Sequence, residues 1–362
     1  MRITKWLIVR VVAVIATAIV LVFLIQYIGV DLILFLLGNL NLYWIMVFVG
    51  VYTFTFILRA IRWKSIVKAT DHNIGVPYTI TMLWSGWFVN EVTPAKIGDF
   101  VRIYLLYDKE KEMSLGESTS TVAVERIFDI FAMVFLASIL FGVICLNISI
   151  PEDFRNIILI AFVLGFALLG VIVAFIFYGE RMIGFTKRLS TGLYEKLSMF
   201  VIGFKAGMSR LYRKPKMLAI VALLSIPIWL LDATSIVFIT RSTGFFLPVE
   251  VCLLATIIGF FSKLIPLLPG GFLIYELSVG FVLSMAGPFS LGLGSSLTLP
   301  FSLSFAIFLP LSLGVAFALL DHIVRFAYCS VTGIPSIIYN GVGIKFLSQK
   351  KTTVEIDEQT KG

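Results

Sequence analysis

Eight apolar stretches, most of them about as long as a bilayer is thick, recur along this chain and leave little choice of fold. They lie at about 6–28, 42–58, 78–106, 119–146, 157–178, 217–239, 249–285 and 300–323. A helix needs roughly 20 apolar residues to cross the hydrocarbon core. Inside lipid every backbone polar group must be bonded internally, so runs of this length span as helices. Composition agrees, with 59% hydrophobic and 14% charged residues and a mean hydropathy of +1.01, against roughly 25% charged in soluble domains. The expected fold is an all-α polytopic membrane protein, with little of its 362 residues left for a soluble catalytic domain. The first run follows Arg2 and Lys5, is too long for a signal-peptide core and lacks a small-residue cleavage site, so it reads as a retained anchor.

Two of the eight runs are interrupted. Asn90, Glu91, Thr93, Pro94, Lys96, Gly98 and Asp99 break the third, and Lys263, Pro266, Pro269, Gly270 and Gly271 break the seventh. Unwound backbone at membrane depth costs several kcal/mol or so per unpaired group, and survives only where protein or a wet cavity receives it. Lys and Arg concentrate at the N-terminus, in 59–76, 107–118 and 179–216, and in the tail, whereas 29–41, 147–156 and 241–249 together hold only Arg155 and Arg241. Under the positive-inside rule this gives six full crossings with both termini cytoplasmic, provided each broken run is a re-entrant hairpin. One hairpin then enters from the cytoplasm and the other from outside, an inverted-repeat arrangement of the kind found in alternating-access transporters. Two continuous, Pro-kinked spans would satisfy the charge bias equally well. The expected layout is one membrane domain over 1–345, with halves of about 1–178 and 217–345. The basic segment 179–216 would lie on the anionic leaflet and 346–362 would form a disordered cytoplasmic tail.

Charges inside a membrane cost roughly 2.5 to 3.5 kcal/mol each on insertion scales, so each asks for a partner or a role. Asp99 and Arg102 are three apart and can pair once the helix resumes after Gly98. Glu125, Arg126 and Asp129 share a helix face and leave one carboxylate in excess; it either receives Lys96 or Arg102, or serves a proton or substrate site. Asp232 has no cation near it on its own helix, and Lys263 is its expected partner. Lys263 and the amides around Gly270 and Gly271 could hold a phosphate. The expected headgroup-binding set is thus Asn90, Lys96, Arg102, Arg126, Lys263, Gly270 and Gly271, with Asp99, Glu125, Asp129, Asp232 and Glu276 balancing charge or responding to protons.

Cys145, Cys252 and Cys329 sit in apolar runs without metal or disulfide spacing, and read as small buried hydrophobes. His72 and His322 read as interfacial, and two histidines are too few for a metal cage. No cofactor is expected. The net charge of +8 is explained by membrane orientation, so no nucleic-acid partner is expected either. Asn147, Ile148 and Ser149 form a sequon in an expected external loop.

Asn90, Pro94, Lys96, Gly98, Asp99 and Arg102, then Glu125, Arg126 and Asp129, then Pro269, Gly270, Gly271 and Glu276 follow one another in a recognisable order. In these three motifs the chain resembles the lysylphosphatidylglycerol synthase transmembrane, or flippase-like, family. Lys96 and Asp99 stand where Arg and Glu are commoner, and Leu273 where a third Gly is usual. The resemblance implies a lipid flippase acting on anionic or polyprenyl-phosphate-linked lipids in the cell membrane, with a separate lipid-modifying enzyme as a further expected partner. No aminoacyl-transferring or nucleotide-binding domain is legible, so the chain is expected not to be an enzyme; a membrane transferase or an accessory subunit is the alternative.

Overall fold

The computed structural model describes residues 17–93, 96–147, 191–263, 268–284 and 310–341, with isolated positions between 156 and 178. The described residues form helices joined by short turns: α1 (Thr17–Ile28), α2 (Val30–Gly38), α3 (Leu42–Ala69), α4 (Val76–Val92), α5 (Ile97–Lys109), α6 (Leu115–Asn147), α7 (Thr191–Tyr212), α8 (Pro215–Ala233), α9 (Ser235–Ser242), α10 (Val249–Ser262), a 3-10 turn (Pro269–Gly271), α11 (Ile274–Ser284) and α12 (Leu311–Tyr339). The expected span at 157–178, Pro94, Pro266, Ser149 and the tail lie outside the described residues.

Among the described residues, four helices are long and apolar enough to cross a membrane: Leu42–Ala69, Leu115–Leu146, Leu311–Tyr339 and, with α8 continuing into α9, Pro215–Ser242. Local chemistry sets several of their starts. Asn41 caps α3 by accepting from the Tyr43 amide at 2.9 Å. Proline at the first or second helical position of α4 and α8 costs no hydrogen bond there. Outward faces carry Phe131, Phe135, Leu223 and Val331, all more than half exposed, while Arg59, Arg62, Arg102, Glu276 and Arg325 are buried. That inside-out distribution is what lipid as solvent selects.

Three boundaries differ from the sequence reading. The second run does not end at Leu58; α3 continues to Ala69 and draws Arg59, Arg62 and Trp63 inside the protein, where the sequence reading had a basic flank at the interface. The 29–41 connection is mostly helical, because the chain turns by 83° at Gly29 into the apolar helix α2. The last span is shifted towards the C-terminus, and Leu311–Tyr339 carries Asp321, His322 and Arg325 at its centre. Cys252 and Cys329 are buried as expected, but Cys145 is exposed.

Both interrupted runs fold back on themselves. Gly86 in α4 and Gly98 in α5 approach so closely that a Cβ on Gly98 would strike the Gly86 carbonyl, and Asn90 Oδ1 accepts from the Gly98 amide at 2.8 Å. In the second hairpin a Cβ on Gly259 of α10 would meet Val279 and Tyr275 of α11. Each half therefore runs span, hairpin, span: α3, α4–α5, α6 and then α8–α9, α10–α11, α12.

The halves have opposite sense. Helix α3 lies antiparallel to α8–α9, tied by Asn41 N–H to Ser242 O (2.6 Å) at one end and by Lys214 to Asp71 (2.5 Å) at the other. Helix α6 is antiparallel to α3 through Arg62 and Asp129 (2.6 Å) and Trp63 and Thr121 (3.2 Å). Helix α12 is parallel to α3, with Arg325 over the Phe48 and Tyr52 rings and Tyr328 stacked on Phe56. In the 179–216 segment, α7 packs on the start of α6, where Arg210 pairs with Glu117 at 2.6 Å.

Candidate functional site: two buried charge clusters

The first cluster is a closed ring of alternating charge. Arg62 on α3 reaches Asp129 (2.6 Å) and Glu125 (3.1 Å) on α6. Arg102 on α5 reaches Glu125 (2.5 Å) and Asp99 (3.7 Å). Arg126 reaches Asp99 (2.8 Å) and Asp129 (3.2 Å), which closes the circuit. Three guanidiniums and three carboxylates cancel, so the ring carries no net charge. The carboxylate in excess on the sequence reading is matched by Arg62, a residue assigned there to the interface. Trp229 and Arg62 both donate to Asp129 Oδ1, at 2.8 and 2.6 Å, and Arg102 lies 4.3 Å from the centroid of the Trp63 ring. A buried pair is weakly stabilising on balance, but loss of one member strands the other at a cost of about 3–5 kcal/mol.

The second cluster lies where the hairpin tips meet. His322 on α12 is fully buried, with Nδ1 2.5 Å from Glu276 Oε1 and Nε2 3.2 Å from Glu91 Oε2. It is not the interfacial residue the sequence suggested. Gly270 packs here with φ +62°, and a Cβ at that position would stand 2.9 Å from Glu91 Oε2 and 3.0 Å from His322 Nε2. Lys263, the C-cap of α10, is 6% exposed; its Nζ sits 4.3 Å from the Tyr275 ring centroid and has no described carboxylate within 4 Å. Tyr275 donates to Asp321 Oδ2 at 2.5 Å, and Arg325 donates to the same oxygen at 3.0 Å.

Asp232 does not pair with Lys263. Its partner is Arg59 of α3, because α3 runs about three turns further than expected and presents a guanidinium to the end of α8, where it continues into α9. Of the expected binding set, Asn90 is occupied in closing its own hairpin, and Arg102 and Arg126 are bound into the ring. Lys96 is exposed at the first hairpin tip with φ +56°. Gly271, at φ +78°, backs onto the Lys263 side chain, and Leu273 holds φ +73°, a conformation that favours glycine. Sequence reasoning missed Arg59, Arg62, Glu91, Asp321, His322 and Arg325 as members of these clusters.

A signal for some of them was present. Glu125 and Arg126 follow the first residue of α6 by ten and eleven positions, and Asp321 and His322 follow the first residue of α12 by the same intervals. Asp99 and Glu276 are both the third residue of the returning hairpin helix. Arg59 and Asp232 are 173 residues apart, the interval that also separates the starts of α3 and α8 and of α4 and α10. The Arg126–Asp99 pair of one half thus matches the His322–Glu276 pair of the other, and Arg59 and Asp232 pair as equivalents across the junction of the halves.

Comparison with known proteins extends this picture. A UPF0104 membrane protein of Methanothermobacter thermautotrophicus is 28% identical over 235 residues, covering 59% of this chain and 67% of that one. A UPF0104 membrane protein of Methanocaldococcus jannaschii is 28% identical over 198 residues, 55% of this chain and 80% of its own. The glycosyltransferase AglD of Haloferax volcanii is 23% identical over 322 residues, which cover 81% of this chain and 48% of AglD. No solved structure matches. The family model described as "Lysylphosphatidylglycerol synthase TM region" matches residues 8–308, a stretch that takes in both hairpins and the whole arginine ring, and the chain belongs to that family.

Proposed function

We propose that the protein moves a lipid with an anionic phosphate headgroup, either a phospholipid or a polyprenyl-phosphate-linked lipid, between the leaflets of the cell membrane. One observation carries this reading: two hairpins of opposite sense meet tip to tip beside Lys263, a buried ammonium with no described carboxylate in ion-pair range. Lys263 and Lys96 attract the phosphate, and the backbone at Gly270 and Gly271 allows it close approach. The ring of Arg62, Arg102 and Arg126 with Asp99, Glu125 and Asp129 holds the first hairpin to the spans around it. The Lys and Arg bias supports an orientation with both termini in the cytoplasm.

Reconstitution into liposomes holding a fluorescent lipid quenchable by dithionite tests the proposal. Faster loss of inner-leaflet fluorescence than in empty vesicles is expected for an anionic headgroup, and Lys263→Met slows it. No acceleration for any phospholipid or polyprenyl-phosphate headgroup overturns the reading. The match to the glycosyltransferase AglD favours a second reading, an integral-membrane transferase acting on a lipid-linked sugar. Product formation by the purified chain from a labelled sugar donor would support it.

A further inference from the structure

The ring and the imidazole cluster differ in one respect that bears on how such movement is driven: the cluster holds a side chain that can take up and release a proton near neutrality. We propose that Glu91, His322 and Glu276 form a proton-binding site that locks the hairpin tips together when protonated and frees them when deprotonated. The coupling of this site to lipid movement rests on the transporter reading above, whereas the switch itself is a statement about the protein's conformation.

A neutral imidazole has one N–H, and both of its nitrogens donate only in the imidazolium form. Both ring nitrogens of His322 face carboxylate oxygens, at 2.5 and 3.2 Å. The ring cannot turn aside, because Phe272 stacks on it at 4.0 Å between centroids and Tyr275 packs edge-on at 5.6 Å. In the neutral form the shorter Nδ1 contact keeps the hydrogen, and the Nε2 lone pair is left facing Glu91 Oε2. That contact turns from attractive to repulsive, and it joins α4 of the first hairpin to α12 and the Gly270 turn of the second.

The surrounding charges favour protonation as the closed state. Lys263 at the end of α10 and Lys96 at the first hairpin tip supply positive charge, and Glu91 and Glu276 negative charge. On the histidine's own helix, Asp321 and Arg325 satisfy each other at 3.0 Å, and Tyr275 donates to Asp321; Tyr328, Cys329 and Tyr339 are the remaining titratable groups on that helix. Lys96 is exposed, and the buried groups Glu91, Glu276 and Lys263 sum to one negative charge, which an imidazolium cancels. The proton adds at Nε2, the nitrogen without hydrogen in the neutral form: a hydronium O–H bond breaks, the Nε2–H bond facing Glu91 Oε2 forms, and water departs. The equivalent pair in the other half, Arg126 with Asp99, cannot do this, since a guanidinium keeps its proton.

The test uses the full chain in lipid nanodiscs, with Cys145, Cys252 and Cys329 replaced by serine and spin labels on cysteines introduced at Val92 and Leu277, which are 40% and 39% exposed on opposite hairpins. Electron–electron distance measurements at pH 5 are expected to give one short population, and at pH 9 a second, longer one. The ratio of the two should move by about tenfold or more, the value of one charge-assisted hydrogen bond. His322→Gln and Glu91→Gln should abolish the response. His322→Arg should hold the short distance at every pH, which also shows that a variant at this position folds. An unchanged wild-type distribution between pH 5 and 9, or a response that persists in His322→Gln, overturns the proposal. Lipid movement without a pH-dependent distance would discard this site and leave the transporter reading intact. A pH-dependent distance lost in His322→Gln, without lipid movement, would keep the switch and discard the transporter reading.

Discussion

The arginine ring and the imidazole cluster stand at matching places in two halves of opposite sense, yet they are built from different chemistry. In the first half, the pair between the returning hairpin helix and the following span is Arg126 with Asp99; in the second it is His322 with Glu276. The guanidinium is part of a six-membered circuit reaching from α3 through α5 to α6, so no member can leave without stranding two neighbours. The imidazole bridges two carboxylates on separate elements, and its charge is adjustable. One half is therefore fastened at every pH at which proteins fold, while the other is fastened conditionally. Inverted repeats with one fixed and one adjustable anchor have a defined moving part: the contact between hairpin tips.

The largest effect expected from breaking this comparison is on the ring. Arg62→Leu leaves Glu125 with Arg102 as its one ion-pair partner in the ring and Asp129 with the partly exposed Arg126 and the Trp229 N–H. The loss should be about 3–5 kcal/mol, seen as a sharp fall in thermal stability in detergent by fluorescence-detected size exclusion. Arg59 and Asp232 offer a comparable but reversible test, since they pair as equivalents across the halves. Arg59→Asp and Asp232→Arg should each destabilise by about the same amount, and the double exchange should recover most of it by restoring the pair. Failure of the exchange to recover would mean that the surroundings, above all Trp87 with its ring centroid 4.5 Å from the Arg59 guanidinium, dictate which helix carries the cation.

Much of this was legible in the residues, and what was not has a physical reason. Hairpins could be read because proline, glycine and charge inside an apolar run have few uses other than breaking it, and both broken runs do fold back. The Glu125, Arg126 and Asp129 face and the Asp99 and Arg102 pair were legible from helical spacing alone. Arg59 and Arg62 were misplaced because a basic pair after an apolar run looks the same whether the helix stops at the interface or continues inward; only partners 67 and 173 residues away decide it. His322 was misplaced for the same reason, its span having been ended at Ile323, whereas the helix runs on to Tyr339. Lys263 lost Asp232 to Arg59, and a competition among three distant helices has no local signature.

A smaller effect is expected at the tip contact itself. Gly270 holds φ +62°, which costs an L side chain roughly 1–2 kcal/mol, and its neighbours Glu91 and His322 leave no room for a Cβ. Gly270→Ala should lower stability modestly while parting the tips at all pH values. Spin labels at Val92 and Leu277 would then report the longer distance even at pH 5. Retention of the short distance would show that Glu91 and His322 can shift around a methyl group, and that the contact is looser than its geometry implies.

The smallest effect is expected outside the membrane, and it calibrates the rest. Asp71 pairs with Lys214 at 2.5 Å just beyond the end of α3, with side chains 64% and 37% exposed. The hydrogen bond from Lys214, and then its charge, hold the Asp71 carboxyl below its ordinary range. A depressed carboxylate contributes stability above the unfolded value of about 3.9, and the contribution is lost as pH falls through the lower folded value. Water and salt screen an exposed pair, so Asp71→Asn should leave the unfolding temperature at pH 7 nearly unchanged, and 1 M salt should erase any difference. The Arg62→Leu loss should persist in the same salt, because Arg62 and its partners Glu125 and Asp129 are buried away from screening ions. A salt-sensitive loss at Arg62, or an equally large loss at Asp71, would place the ring in contact with water and remove the distinction between a fixed anchor and an adjustable one.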